Sequence, residues 1–254
     1  MRDALRLAFG TLTVLPTRPP ADVDDAVARG AMVMAPLAVL PLAVVWAVGH
    51  VATLIVSVPV LLVAAVVIAA TALYSRGLHL DGLADTADGL SASHDRERVL
   101  AVMKTGDVGP SGAAALVLVL VIQAVALGSL LASTAGTALA VIALVASRHC
   151  LAWGCWWRVP TARPTGLGAT VGGTVRTPVL VATTTVVLVL AAGAGRVLGA
   201  AWYAGPLVVV VGLLGTGSVL RTAIRRVGGV TGDVLGACVE VSLTVALVAA
   251  SVTA

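Results

Sequence analysis

The sequence predicts an all-α, polytopic integral membrane helix bundle of about seven transmembrane helices, preceded by an N-terminal interfacial helix. Three observations carry that expectation. The 254 residues are 59% hydrophobic and only 11% charged, where soluble domains carry roughly 25% charged residues. Seven apolar runs, at about 31–49, 57–75, 111–131, 136–157, 177–195, 198–219 and 234–253, reach the roughly 17–25 residues needed to cross a bilayer. The 16 lysines and arginines also alternate between connections. From the N-terminal segment to the C-terminus the connections hold four, none, four, none, three, one, three and none, with Arg148 alone inside a span. Short cytoplasmic loops are enriched in these residues, so the pattern predicts a cytoplasmic N-terminus.

Each element has its reason. The stretch MRDALRLAFGTLTVLP lacks an Ala-x-Ala cleavage signal and runs into proline and charge. Leu5, Phe9 and Leu12 share one helical face there, which predicts a retained interfacial helix. Pro59 and Pro206 fall in the second and sixth spans, where buried helices tolerate them. The spans consume more than half of the chain, so residues 1–254 form one integral membrane domain. Chemistry is then confined to the loops 76–110, 158–176 and 220–233 and the adjoining helix ends. Trp153, Trp156 and Trp157 read as an interfacial belt. Cys150, Cys155 and Cys238 lack CxxC spacing and read as buried free thiols. A pI near 9.5 follows from this topology and from attraction to anionic membrane lipid. It does not indicate a nucleic-acid partner.

Charge is scarce, so its placement is informative. Six of the twelve acids, Asp81, Asp85, Asp88, Asp95, Glu97 and Asp107, lie in one 27-residue window. In a helix at ~100° per residue, positions 81, 85 and 88 fall at about 0°, 40° and −20°, on one narrow face. Like charges so placed destabilise a helix, and a divalent cation offsets the repulsion; a hard, oxygen-rich site suits Mg²⁺ together with substrate phosphates. The competing reading is a solvated acidic face, which normally intersperses Lys or Arg. Arg96, Arg98 and Lys104 follow as phosphate contacts or as topological charges, and His79 and His94 flank the cluster as candidate bases or surface histidines.

A second polar island, Gly228-Gly229-Val230-Thr231-Gly232-Asp233, leads into the last span with Thr231 placed to cap it. Asp233, Gly236 and Glu240 lie there on one helical face, and an intramembrane carboxylate such as Glu240 is costly and by default functional. Gly232 and Gly236 also form a close-packing pair. A third island, Arg163-Pro164-Thr165-Gly166-Leu167-Gly168, is a basic loop suited to phosphate. Arg148, inside the fourth span, needs an acidic partner or an anionic ligand. The charge pattern puts all three islands on one side, which predicts a shared site for phosphoryl transfer on an amphiphilic substrate.

These residues carry a resemblance. GLHLDGLADTADGL, VMKTGDVGPSG, ARPTGLG and GGVTGDVLGA, in that order among seven spans, resemble the cobalamin synthase family, the adenosylcobinamide-GDP ribazoletransferases of cobalamin nucleotide-loop assembly. The resemblance runs from the N-terminal helix to Glu240. It implies an Mg²⁺-dependent enzyme of the bacterial cytoplasmic membrane that joins adenosylcobinamide-GDP to α-ribazole or its 5′-phosphate and releases GMP. The matching positions make Asp81, Asp85 and Asp88 the metal-binding carboxylates, with Asp233 a fourth ligand or the general base. Arg163 and Lys104 would hold phosphate oxygens, and Glu240 would support the site. Arg148, His79, Gly166 and Gly232 complete the expected substrate-binding set. One departure is that Lys104 is followed by Thr105, Gly106 and Asp107, where the family often has an aspartate directly after the lysine. Candidate protein partners are a second copy of the chain and other cobalamin-pathway enzymes.

Rival readings are a CDP-alcohol phosphotransferase or prenyltransferase, which also use clustered aspartates and Mg²⁺, and a secondary transporter coupling Glu240 to Arg148. The first is disfavoured because Asp85 stands where the CDP-alcohol pattern has an arginine. The transporter is disfavoured because most acids lie at helix ends rather than at the midplane.

Overall fold

The computed structural model describes all residues 1–254. It consists of helices joined by short connections, with β pairing limited to two isolated bridges. Six helices are long and apolar enough to cross a membrane, or seven if one bent pair is counted as a span.

Helix α1 (Arg2–Leu12) packs along α2 (Asp25–Met34). Its buried face is Ala4, Ala8 and Leu12, adjoining the Leu5, Phe9 and Leu12 stripe expected for the interface. Small side chains win this face because Gly30 of α2 comes close enough that a Cβ there would meet the Ala4 Cβ. The first span starts earlier than expected, at Asp25. Asp24 caps it by accepting from the Val27 N–H at 2.7 Å. A 3₁₀ turn (Ala35–Val39) separates α2 from α3 (Leu40–Ile55). Pro36 and Pro41 withhold backbone N–H groups there and loosen the α ladder.

Helix α4 (Val60–Tyr74) is the expected second span, with Pro59 as its N-cap rather than inside it. At 15 residues it is about 22 Å long, shorter than the roughly 30 Å hydrocarbon core. Arg76 and Gly77 then take left-handed backbone angles, φ 55° and 72°. The chain turns by 88° into α5 (Leu78–Ala92), which lies across the end of the bundle. A short α6 (Arg96–Val102) leads to α7 (Pro110–Leu130) and α8 (Thr134–Gly154). After α9 (Leu167–Val171) come α10 (Thr177–Val197), α11 (Ala204–Val227) and α12 (Gly232–Thr253).

The sixth span is shifted from the expected 198–219. Gly199 at φ 95° closes the preceding turn, and α11 continues through Arg221, Arg225 and Arg226. Arginines at a helix end can reach the interface, so apolarity alone misplaced this boundary. Pro206 sits in the first turn of α11, where it breaks no helical hydrogen bond. α8 and α12 are buried along most of their length, while α7 and α10 expose aliphatic faces. The three cysteines are buried free thiols. Trp156 and Trp157 both donate to the Thr177 hydroxyl at the start of α10.

Alternating helix directions place the N-terminal segment, residues 75–109, 155–176 and 228–231 at one end of the bundle. Direct contacts confirm it: the Val14 N–H donates to the Tyr74 carbonyl, and the Ala162 N–H to the Val230 carbonyl. Fourteen of the 16 basic residues lie in these segments or in the adjoining turns of α2 and α11, all but Arg148 and Arg196.

Candidate active site

The site begins with two helices that touch without side chains between them. Gly82 of α5 lies against the backbone of Asp233, and Gly236 of α12 lies against the backbone of His79 and Gly82. Small residues permit this approach, and it brings the acidic face of α5 beside the first turn of α12. The sequence marks Gly236, with Gly232, for close packing; the structure identifies the α5 backbone as what Gly236 packs against.

Two loops close over that crossing. Residues 160–162 pair with Val230 through Ala162 N–H to Val230 O and Val230 N–H to Pro160 O, both 2.9 Å. Gly168 rests on the Thr231 backbone, where a Cβ would clash. Arginines hold the layers together. Arg96 donates from Nε to the Val227 carbonyl at 2.8 Å and from Nη2 to the Ala162 carbonyl at 2.9 Å. Arg226 donates to the carbonyls of Leu90 and Ser93. Arg96 therefore serves as a clamp between segments, not as one of the phosphate contacts weighed from the sequence.

These elements enclose a cavity of about 220 Å³. Asp81, Arg163, Thr165, Thr231 and Asp233 form its polar wall, with the backbone of Gly166, Gly168 and Gly232. Leu12, Met32, Leu78, Leu151, Val171 and Leu235 supply the apolar wall. Arg163 stands 3.6 Å from the Asp233 carboxylate and also donates to the Leu100 carbonyl at 2.7 Å. Thr231 caps α12 as expected, accepting from Val234 N–H at 3.2 Å while donating to Asp233 Oδ2 at 3.1 Å.

Asp85 lies half-buried beside this wall. Burial, then the carboxylates of Asp81, Asp233 and Asp88, push its pKa up to about 6, against the opposing pull of Arg163. Crowded carboxylates raise one another's pKa in this way, and the excess negative charge favours a cation.

The expected residues do not all converge. His79, Asp81, Arg163, Gly166, Gly232 and Asp233 line the cavity. Asp88 is buried, and its carboxylate accepts from the Gly109 N–H at 2.7 Å and the Gly112 N–H at 2.8 Å. It thus satisfies the open N-terminus of α7. Lys104 is exposed on the turn after α6, away from the cavity wall. Arg148 and Glu240 lie inside the bundle rather than on the wall. Arg148 donates to the Ser147 hydroxyl at 2.7 Å, and Glu240 accepts from Gln123 at 2.9 Å. The two are not within ion-pair contact, so the acidic partner expected for Arg148 is an electrostatic neighbour only. His79 is buried with both ring nitrogens unpartnered. The wall also includes Thr11 and Leu12 of α1 and Met32 of α2. No local signal marked these three as site residues, because only tertiary packing brings α1 and α2 to the cavity.

No group of three or more His, Cys, Asp or Glu side chains is arranged to hold a metal ion. Mg²⁺ keeps several waters and is bound through one or two carboxylates plus substrate phosphates. Asp81 and Asp233 on the cavity wall, with Asp85 beside them, offer the one or two carboxylates that mode of binding needs.

Comparison with known proteins gives one consistent answer. The family model for cobalamin-5-phosphate synthase matches residues 4–251. A protein of Nocardioides sp. named adenosylcobinamide-GDP ribazoletransferase is 46% identical over 250 residues, covering 98% of each chain. Proteins of the same name from Frankia casuarinae and Bradyrhizobium diazoefficiens are 38% and 36% identical, over 98% and 97% of this chain and 94% and 92% of theirs. No solved structure matches.

Proposed function

The chain belongs to the cobalamin-5-phosphate synthase family, and from that premise we propose that it transfers the adenosylcobinamide phosphate group of adenosylcobinamide-GDP to α-ribazole or its 5′-phosphate. A ribose hydroxyl oxygen of the α-ribazole unit attacks the phosphorus nearest cobinamide, and the bond to the GMP oxygen breaks. The hydroxyl proton passes to a carboxylate, and GMP leaves. The observation that carries the reading is the convergence of Asp81, Arg163 and Asp233, distant in sequence, on one cavity. The shared name of the full-length relatives favours it over CDP-alcohol or prenyl transfer.

One or two of Asp81, Asp85 and Asp233 are the residues proposed to hold Mg²⁺, which when bound would neutralise charge developing on the phosphates. Asp88 supports them by fixing α5 to α7. Asp233, or Asp85 where it is not committed to the metal, accepts the hydroxyl proton; a base poised near neutrality suits that role. Arg163 holds a phosphate oxygen from the wall, and Lys104 adds positive charge from its exposed turn. His79, with Gly166 and Gly232, shapes the substrate surface, while Arg148 and Glu240 set the field beneath it. The polar end faces the bacterial cytoplasm, as the one-sided distribution of basic residues supports.

The test is GMP release by protein in detergent or reconstituted bilayers, supplied with adenosylcobinamide-GDP and α-ribazole. GMP and a cobalamin product should appear only with both substrates and Mg²⁺, and disappear with EDTA. Folded protein that yields neither under any of these conditions would overturn the reading.

A further inference from the structure

Away from the cavity, α10 and α11 leave between them an open groove of about 990 Å³. One stripe of α11 forms its floor. Val210, Leu214, Gly217, Arg221 and Arg225 fall within about 80° of one another at ~100° per residue. The stripe runs about 22 Å along the helix, somewhat more than one leaflet of a roughly 30 Å hydrocarbon core. Its chemistry changes along that length. Exposed aliphatic side chains, Val210 and Leu214, occupy the part far from the charged end, a glycine follows, and two arginines stand at the charged end. A Cβ added at Gly217 would meet no atom within 4 Å, so no protein atom fills the groove at its middle.

The groove's other polar groups are satisfied within the chain. Trp153 Nε1 donates to the Thr184 hydroxyl at 3.2 Å, and Thr216, Ser218 and Thr222 donate to carbonyls of their own helix. Arg221 and Arg225 are different: both are exposed, and neither forms an ion pair or side-chain hydrogen bond. Arg96, Arg163 and Arg226, by contrast, are each tied to backbone carbonyls. Positive charge suits the C-terminal turns of α11, and of its three arginines only Arg221 and Arg225 line the head of this apolar groove. A second copy of the chain docking through α3, α4, α7 or α10 offers no counter-charge, because those four helices contain no acid.

We propose that this groove binds an anionic phospholipid, its phosphate held by Arg221 and Arg225 and an acyl chain lying against Leu188, Val210, Leu213 and Leu214. The site is separate from the proposed active site and does not depend on it.

The experiment is native mass spectrometry of purified protein titrated with phosphatidylglycerol, and in parallel with phosphatidylcholine. One phosphatidylglycerol should be retained in preference to phosphatidylcholine. The double variant Arg221→Gln/Arg225→Gln should lower its apparent affinity about thirtyfold. Gly217→Leu, which fills open space, should also weaken binding while leaving both charges in place. Arg98→Gln/Arg176→Gln removes two exposed charges from the same end, outside the groove, and should change little. Excess inorganic phosphate should not displace the lipid. The proposal fails if both lipids bind alike, if the control pair loses as much affinity as the groove pair, if Gly217→Leu binds normally, or if phosphate alone competes.

Discussion

Gly82 packs so closely on Asp233 that a Cβ at position 82 would stand 2.6 Å from the Asp233 carbonyl oxygen. Backbone cannot yield as a flexible side chain does, so Gly82→Ala must push α5 away from α12. That separates Asp81 and Asp85 from Asp233. Misplacement of about 1 Å in a catalytic constellation costs about 100-fold, and GMP release should fall by that amount while helical content by circular dichroism stays intact. A fully active variant would show that the spacing of these carboxylates is unimportant.

Asp85 and Asp88 should separate into two phenotypes although they are one turn apart. Asp85→Asn removes a crowded, half-buried charge and should lower turnover at least about 100-fold without lowering thermal stability. Asp88→Asn leaves one oxygen for two N–H donors at the start of α7 and should cost about 1–3 kcal/mol. It would be read as a lower unfolding midpoint in detergent, with loss of activity following loss of fold. Equal midpoints for the two variants would contradict the capping role.

Arg163 bridges α6 and α12 through the Leu100 carbonyl and the Asp233 carboxylate. Arg163→Ala should raise the KM for adenosylcobinamide-GDP about tenfold or more, with a smaller effect on α-ribazole. Arg163→Lys should recover only part of this, because an ammonium lacks the planar fork. Unchanged kinetics would remove Arg163 from the site.

Asp85 titrates near 6 because burial and neighbouring carboxylates favour its neutral form. Protons and Mg²⁺ then compete for it. Above pH 6 it is charged and available; as pH falls below 6 it protonates, and the Mg²⁺ needed for half-maximal activity should rise about tenfold per pH unit. The dependence should flatten in Asp85→Asn. EDTA should abolish activity in the wild-type chain without unfolding it, since helix packing rather than metal holds the bundle. A Mg²⁺ requirement independent of pH between 5 and 7 would exclude Asp85 from the metal.

Much of this protein was determined by its sequence alone. Apolar length fixes which segments can cross a bilayer, and the one-sided arginines fix which ends lie together. The 3.6-residue period puts Asp81, Asp85 and Asp88 on one face of α5 before any contact is known. These are local or one-dimensional properties, set by backbone hydrogen bonding and by the cost of charge in hydrocarbon. Tertiary structure decided the rest. It turned α5 across the bundle end, gave Asp88 to α7 and Arg96 to the loops, and kept Lys104 off the cavity wall. It also brought Thr11, Leu12 and Met32 onto that wall and set Arg148 and Glu240 beneath it. The physical reason is that a side chain's role depends on which backbone donors and charges packing brings within a few ångströms, and that proximity between segments 150 residues apart leaves no periodic trace in the chain.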